Sequence, residues 1–281
     1  MHYLIIAVIV SSLVAVLMRF SEKRVTNNFA MFMANYFVCA LTAFILTPDK
    51  NVFAPRAGLP FALCLGLVSG CLYLTCFVLL KQNIHLNGVM LSSVFMKLGV
   101  LVPVIMAIVF FRETPTVFQI VGFAAAVAAI LIIYIEPGAQ KQRFSTTSLL
   151  LLLLLIVSGL TESMANIFEK LGESDLKDNF LFFNFLTAFL LSASITAIKH
   201  KPVTITDILF GVMIGVPNYF CSRFLLLSLA ELPAFVVYPI YNVGAIVLIG
   251  LAGMLVFKEK LSARKWIGFS MIISALVLLN I

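Results

Sequence analysis

Three ionisable side chains stand where the sequence is otherwise apolar: Lys97, Glu162 and Arg223. At the centre of a membrane helix such a group costs roughly 2.5–3.5 kcal/mol, so it faces a cavity or a partner. Glu162 follows the unbroken leucine run 149–155 on the same apolar stretch. Ser158, Glu162, Asn166 and Glu169 recur at helical spacing and fall on one stripe, leaving the leucines to cover the rest of the first half. A carboxylate on that stripe can take up a proton, hold a substrate ammonium group, or serve as a structural counter-ion. Arg223 falls at a similar depth in its own segment and is the expected partner if Glu162 is structurally paired.

Other side chains extend this chemistry. Arg223 follows Tyr219 by four residues, and Ser222 follows Asn218 likewise, with Pro217 favouring a kink beside them. Lys97 follows Ser93 by four residues, with Pro103 six further on. It can hold a substrate carboxylate, compete with protons, or fix packing. Tyr73, Phe77, Tyr219, Tyr238, Tyr241 and Asn242 complete the candidate substrate-binding set. Tyrosines beside a carboxylate suit an organic ammonium through cation–π contact, although aromatic residues in membrane helices also serve as packing and interfacial anchors.

Catalytic and metal chemistry are not indicated. His2, His85 and His200 fall at segment ends or in loops, and neither HExxH nor GxSxG occurs. The five cysteines lie inside apolar stretches without metal-ligand spacing and read as buried thiols. No nucleotide-binding loop or other cofactor motif is present. The expectation is therefore no catalytic residue, no metal and no cofactor, which leaves a membrane-embedded enzyme or a scaffold as the weak alternatives from another class.

The elements that must position these groups follow from composition. The chain is 62% hydrophobic and 11% charged, against about half and about a quarter in a soluble protein. Apolar runs of membrane-spanning length recur from end to end. The formal charge of +7 belongs to membrane topology, since no basic run with interleaved aromatics suits nucleic acid. Ten helices are expected, at about 3–18, 29–46, 58–80, 88–111, 117–135, 148–168, 179–198, 207–229, 233–257 and 264–280. The first reads as a retained helix, not a cleaved signal peptide.

The two halves repeat. Phe111-Arg112-Glu113 with Gly122-Phe123 recurs as Phe257-Lys258-Glu259 with Gly268-Phe269, at an offset of 146. Ser11, Leu13, Glu22 and Lys23 match Ser158, Leu160, Glu169 and Lys170 at 147, and Gly66 and Gly70 match Gly211 and Gly215 at 145. The domains expected are a five-helix repeat over 1–135, a polar linker over 136–147 and a second repeat over 148–281. An odd number of spans per repeat sends the second copy into the bilayer from the other side, giving an inverted repeat. On this reading 12 Lys and Arg fall in or beside loops on one side and 5 in loops on the other, which places both termini outside the cytoplasm. Both Gly-x-x-x-Gly pairs permit close helix packing, within one chain or between two.

Two five-helix units, each with an aromatic-basic-Glu signature at the end of its fourth helix and a Gly nine residues on, resemble the ten-helix EamA-domain branch of the drug/metabolite transporter superfamily. The resemblance implies an all-α polytopic membrane protein of ten transmembrane helices. It implies a small-metabolite transporter with a central cavity lined mainly by the first, third, fourth, sixth, eighth and ninth helices. Arg112-Glu113 and Lys258-Glu259 take a structural, helix-end role. The expected function is secondary active transport of a small polar metabolite (amine, amino acid or similar zwitterion) by alternating access, with Glu162 as the proton-coupling group. An uncoupled uniporter, or an exporter of organic cations or drugs, is the alternative. The partners expected are a small-molecule substrate, the lipid bilayer and a coupling proton, with no nucleic acid; the chain is a monomer or homodimer. The expected location is the bacterial plasma (inner) membrane.

Overall fold

The structure is a computed structural model that describes residues 1–22, 24–47, 52–53, 55–134, 146–256 and 263–279. Among these residues it contains ten α-helices and no strand. They are α1 (His2–Ser21), α2 (Asn28–Leu46), α3 (Leu59–Leu98), α4 (Leu101–Val109), α5 (Val117–Tyr134), α6 (Thr146–Leu171), α7 (Lys177–Lys199), α8 (Ile205–Glu231), α9 (Ala234–Leu255) and α10 (Ala263–Leu279), with a 3₁₀ turn at Ser174–Leu176. Among the described residues, seven helical stretches are long and apolar enough to cross a membrane. Three further apolar stretches, Phe95–Val109, Val117–Ile132 and Trp266–Leu279, are shorter. The chain is thus an all-helical, multi-pass membrane protein. Lys23, most of the 136–147 linker and the Lys258-Glu259 signature lie outside the described residues.

The break between the third and fourth segments is displaced from its expected place at 81–87. The helix runs through that polar stretch and ends at Leu98. Polar composition does not stop a helix there because 81–87 contains neither Gly nor Pro, and Asn83 donates its amide to the Leu79 and Leu150 carbonyls at 2.9 and 3.0 Å. The chain breaks where the backbone chemistry demands it. Gly99 is a poor helix former, and Pro103, four residues on, has no N–H to offer the Gly99 carbonyl. Three-residue hydrogen bonds take over, Val100 to Lys97 at 3.3 Å and Val102 to Gly99 at 2.9 Å.

The helices form two compact units, each drawn from both halves of the sequence. One comprises Met1–Leu74 and Met164–Ala230; the other comprises Thr75–Ser163 and Glu231–Ile281. In the first, α2 packs along α7, and the Gly-x-x-x-Gly pairs act within the chain. A Cβ at Gly66 or Gly70 would lie 2.7 Å from Phe183 Cβ or 2.6 Å from Thr187 Cβ, both on α7. One at Gly211 or Gly215 would lie 2.6 Å from Ala34 Cβ or 2.7 Å from Val38 Cβ, both on α2. Only glycine admits so close an approach. The adjoining Asn35 accepts a hydrogen bond from Asn218 on α8 at 3.2 Å. Asp207, fully buried, binds the start of α8 to the α1–α2 link, accepting from the N–H groups of Thr204 and Thr26, each at 2.9 Å, and of Asn27 at 3.3 Å.

In the second unit α5 packs along α10, and α4 against α9. Its core joins Ala126, Ala129 and Ile130 to Val243, Ile246, Phe269, Ile272 and Ala275. The pairs α2–α7, α4–α9 and α5–α10 each join helices five places apart in chain order.

Candidate functional site

The second unit gathers Lys97, Glu162, Tyr238 and Asn242. Asn242, on α9 and fully buried, donates its side-chain NH₂ to Glu162 Oε2 at 3.0 Å and presents its Oδ1 to Lys97 Nζ at 3.5 Å. A neutral amide therefore stands between a cation and an anion. Its orientation is set by that chemistry: turned over, it would aim NH₂ at an ammonium and oxygen at a carboxylate. One turn earlier on α9, Tyr238 donates its hydroxyl to the Glu162 carbonyl at 2.7 Å. Lys97 is close enough to interact electrostatically with the Glu162 carboxylate, and so is the Cys76 thiol. Lys97 and Glu162 are both half-buried.

The sequence holds these groups in place through backbone contacts. The turn after α3 presses Gly99 against Gly159 of α6, where a Cβ on Gly159 would fall 2.5 Å from Val102 Cβ. Beside this crossing, Ser158 donates its hydroxyl to the Met96 carbonyl at 3.1 Å. Lys97 lies two residues before Gly99, and Glu162 lies three after Gly159, so the crossing brings the two charges to one place. The start of α9 is fixed from α4. Arg112 adopts a φ of 54°, the left-handed residue that commonly ends a helix. Glu113 then accepts hydrogen bonds from the N–H groups of Ala234 and Phe235 at 3.1 and 3.0 Å. Pro233 caps α9 without a side-chain hydrogen bond of its own, so the carboxylate supplies that cap. The helix-end role expected of Arg112-Glu113 is the one they play.

The first unit holds a separate polar cluster. Arg223 Nη1 pairs with Asp178 Oδ1 at 2.8 Å and donates to the Tyr219 hydroxyl at 2.7 Å. The Tyr219 hydroxyl also lies 3.4 Å from Asp178 Oδ1. Phe185 connects the Tyr219 ring to those of Tyr73 and Tyr36, with centroid separations of 6.3, 6.3 and 6.4 Å. The carboxylate at Arg223 is that of Asp178, whereas the sequence pointed to Glu162. Asp178 was missed because it begins α7 in a polar stretch that reads as a loop; the Tyr219–Arg223 spacing was the available signal.

The remaining candidates fall as follows. Asn166 is buried, and neither atom of its amide has a hydrogen-bond partner among the described residues. Phe77 on α3 and Tyr241 on α9 are half-buried. Ser93 lies on α3, outside the residues whose side chains are described. Glu169, the last of the α6 stripe, pairs with Lys177 at 2.8 Å.

Comparison with known proteins agrees with this architecture. An uncharacterized protein of Haemophilus influenzae (strain ATCC 51907 / DSM 11121 / KW20 / Rd) is 26% identical over 289 residues, covering 98% of this chain and 96% of its own. A crystal structure of a protein 12% identical superposes with a TM-score of 0.77 over 98% of this chain and 94% of that one, which shows a shared fold. Residues 1–135 match the EamA-like transporter family.

Proposed function

We propose that the chain is a secondary active transporter of a small polar metabolite (an amine, an amino acid or a similar zwitterion), coupled to protons through Glu162. The observation that carries this reading is the cluster of Lys97, Glu162 and Asn242 on otherwise apolar membrane helices. Such groups are costly in a bilayer unless they serve a cavity or a partner, and here two opposite charges flank a hydrogen-bonding amide. Inverted repeats and alternating access are the arrangement that five-helix repeats favour. Pro217 and Pro239 lie inside α8 and α9 and leave their carbonyl partners unbonded within the helix, as bending elements do. The apolar helices and the relative's bacterial source are the support for placing the chain in a bacterial membrane, the inner one on our reading.

The groups facing Glu162 define what a proton on it would meet: Lys97 and Cys76 from α3, and Asn242 and Tyr238 from α9. The test uses proteoliposomes loaded with a pH-sensitive dye and challenged with amines, amino acids, choline-like cations and nucleosides. A transported compound should move protons with it, and Glu162→Gln should abolish that movement. Transport that ignores a pH gradient, or a Glu162→Gln protein with the wild-type pH response, would overturn the coupling.

A further inference from the structure

Two turns of the first unit carry cations at the depth where lipid headgroups lie. The apolar stretches that contain α2, α7 and α8 are long enough to span a membrane and are bounded on this side by Asn28, Lys199 and Ile205. Arg24 on the α1–α2 link, and Lys199 and Lys201 on the α7–α8 turn, lie at or just beyond those bounds and are exposed. Among the described residues of the two turns, Glu22 is the exposed carboxylate set against them. We propose that these three cations hold the anionic phosphodiester headgroup of a membrane phospholipid. Hydrogen bonds join the two turns into one platform. Asp207, buried beneath it, accepts from the N–H groups of Thr26 and Asn27 on one turn and Thr204 on the other. Asn27 donates its side-chain amide to the Lys201 carbonyl at 3.4 Å, while its Oδ1 caps α2 by accepting from Phe29 and Ala30 at 3.2 and 3.3 Å. Lys199 Nζ lies 4.3 Å from the Phe29 ring centroid, which draws its ammonium to the first turn of α2. The rim beside these charges is apolar: Ile198 is 73% and Ile205 79% exposed, with Val203 exposed between them. Acyl chains suit such a rim and a soluble phosphate would leave it in water, so the occupant is a lipid. Basic groups at a membrane surface strengthen attraction to anionic headgroups by about fivefold each. A lipid bound across both turns clamps the adjoining ends of α2, α7 and α8.

The experiment is thermal melting of the full-length protein in detergent micelles at rising mole fractions of phosphatidylglycerol. Phosphatidylcholine and soluble glycerol phosphate serve as the comparisons. A lipid that binds the folded state raises its stability. Phosphatidylglycerol should raise the melting temperature, by a shift that shrinks as salt is added. Phosphatidylcholine should give a much smaller shift and glycerol phosphate none. Combining Arg24→Gln, Lys199→Gln and Lys201→Gln should raise the lipid needed for half the shift about 100-fold, which erases it over the accessible range. Combining Arg24→Lys, Lys199→Arg and Lys201→Arg keeps the charges and should keep the shift. Asp207→Asn is the sharper variant, because it removes a negative charge. Diffuse attraction to the surface would then grow, whereas a platform held by Asp207 loosens and needs more lipid for the same shift. The proposal is overturned if phosphatidylglycerol does not stabilise the protein, or if phosphatidylcholine or glycerol phosphate matches it. It is equally overturned if the neutralised triple variant responds as the wild type does, or if Asp207→Asn responds at less lipid than the wild type.

Discussion

The contact between Gly99 and Gly159 offers a sharp test of how packing places the charges, because two effects of Gly159→Ala have opposite sign. Gly159 lies inside α6, where replacing glycine by alanine favours the helix by ~1 kcal/mol. The new Cβ would fall 2.5 Å from both Val102 Cβ and Val102 Cγ2 and press on the Gly99 carbonyl. Relaxed carbon contacts lie at about 3.5–4.0 Å, so α6 must retreat by ~1 Å against backbone that cannot rotate away. Overpacking of this kind costs about 1–3 kcal/mol, and obstruction by backbone belongs at the upper end. The net expectation is a loss of ~2 kcal/mol. The same retreat moves Glu162, three residues on, away from Asn242, so transport should fall with stability. Thermal melting in detergent and uptake into proteoliposomes read the two effects. Ser158→Ala, which removes a hydroxyl and creates no clash, should cost no more than about 1 kcal/mol and largely keep transport. A Gly159→Ala protein as stable and as active as the wild type would refute the claim that this crossing sets the site.

Three other expectations follow from the same hydrogen bonds. Glu113→Ala removes both acceptors from the start of α9 and should cost about 2 kcal/mol, whereas Glu113→Gln keeps one acceptor oxygen and should cost roughly half as much; equal melting temperatures for the two would contradict the cap. Asp207→Asn halves the acceptor capacity offered to Thr26, Asn27 and Thr204 and should destabilise by about 1.5–3 kcal/mol, read by thermal melting together with faster proteolysis at the α1–α2 link. Arg223→Met strands the Asp178 carboxylate and should be more harmful than Arg223→Met combined with Asp178→Asn, so a double variant worse than the single one would show that the pair is not the unit.

Much of the site was legible in single residues, and little of it in their association. Lys97 and Glu162 stood out because charge in an apolar helix has few bland explanations, and Tyr238 and Asn242 entered with the set of tyrosines that suits an organic ammonium. Nothing local joins Lys97 to Glu162, which are 65 residues apart; a glycine on each side of a helix crossing does. The misplaced third break has the same origin. Polar composition at 81–87 suggested a loop, but a helix ends where its hydrogen bonding fails, and that happens at Gly99 and Pro103. The Arg223–Asp178 pair was hidden because a helix that begins with Lys177, Asp178 and Asn179 resembles the loop before it until a neighbouring helix is placed beside it.

The pairing of helices explains the scaffold better than it explains the charged cluster. The second and seventh, fourth and ninth, and fifth and tenth helices pack on one another, and glycines on α3 and α8 let those helices approach α7 and α2 closely. The charges follow a different rule. Val243, next to Asn242 on α9, is buried in the apolar core with Ala126 and Ile272, whereas Lys97 is half-buried beside Asn242. A pair of identical sites would treat the two ends of a polar molecule alike. With the Lys97 cation at the end of α3, the Glu162 carboxylate on α6 and the Asn242 amide between them, the cluster has a direction that a symmetric pair would lack.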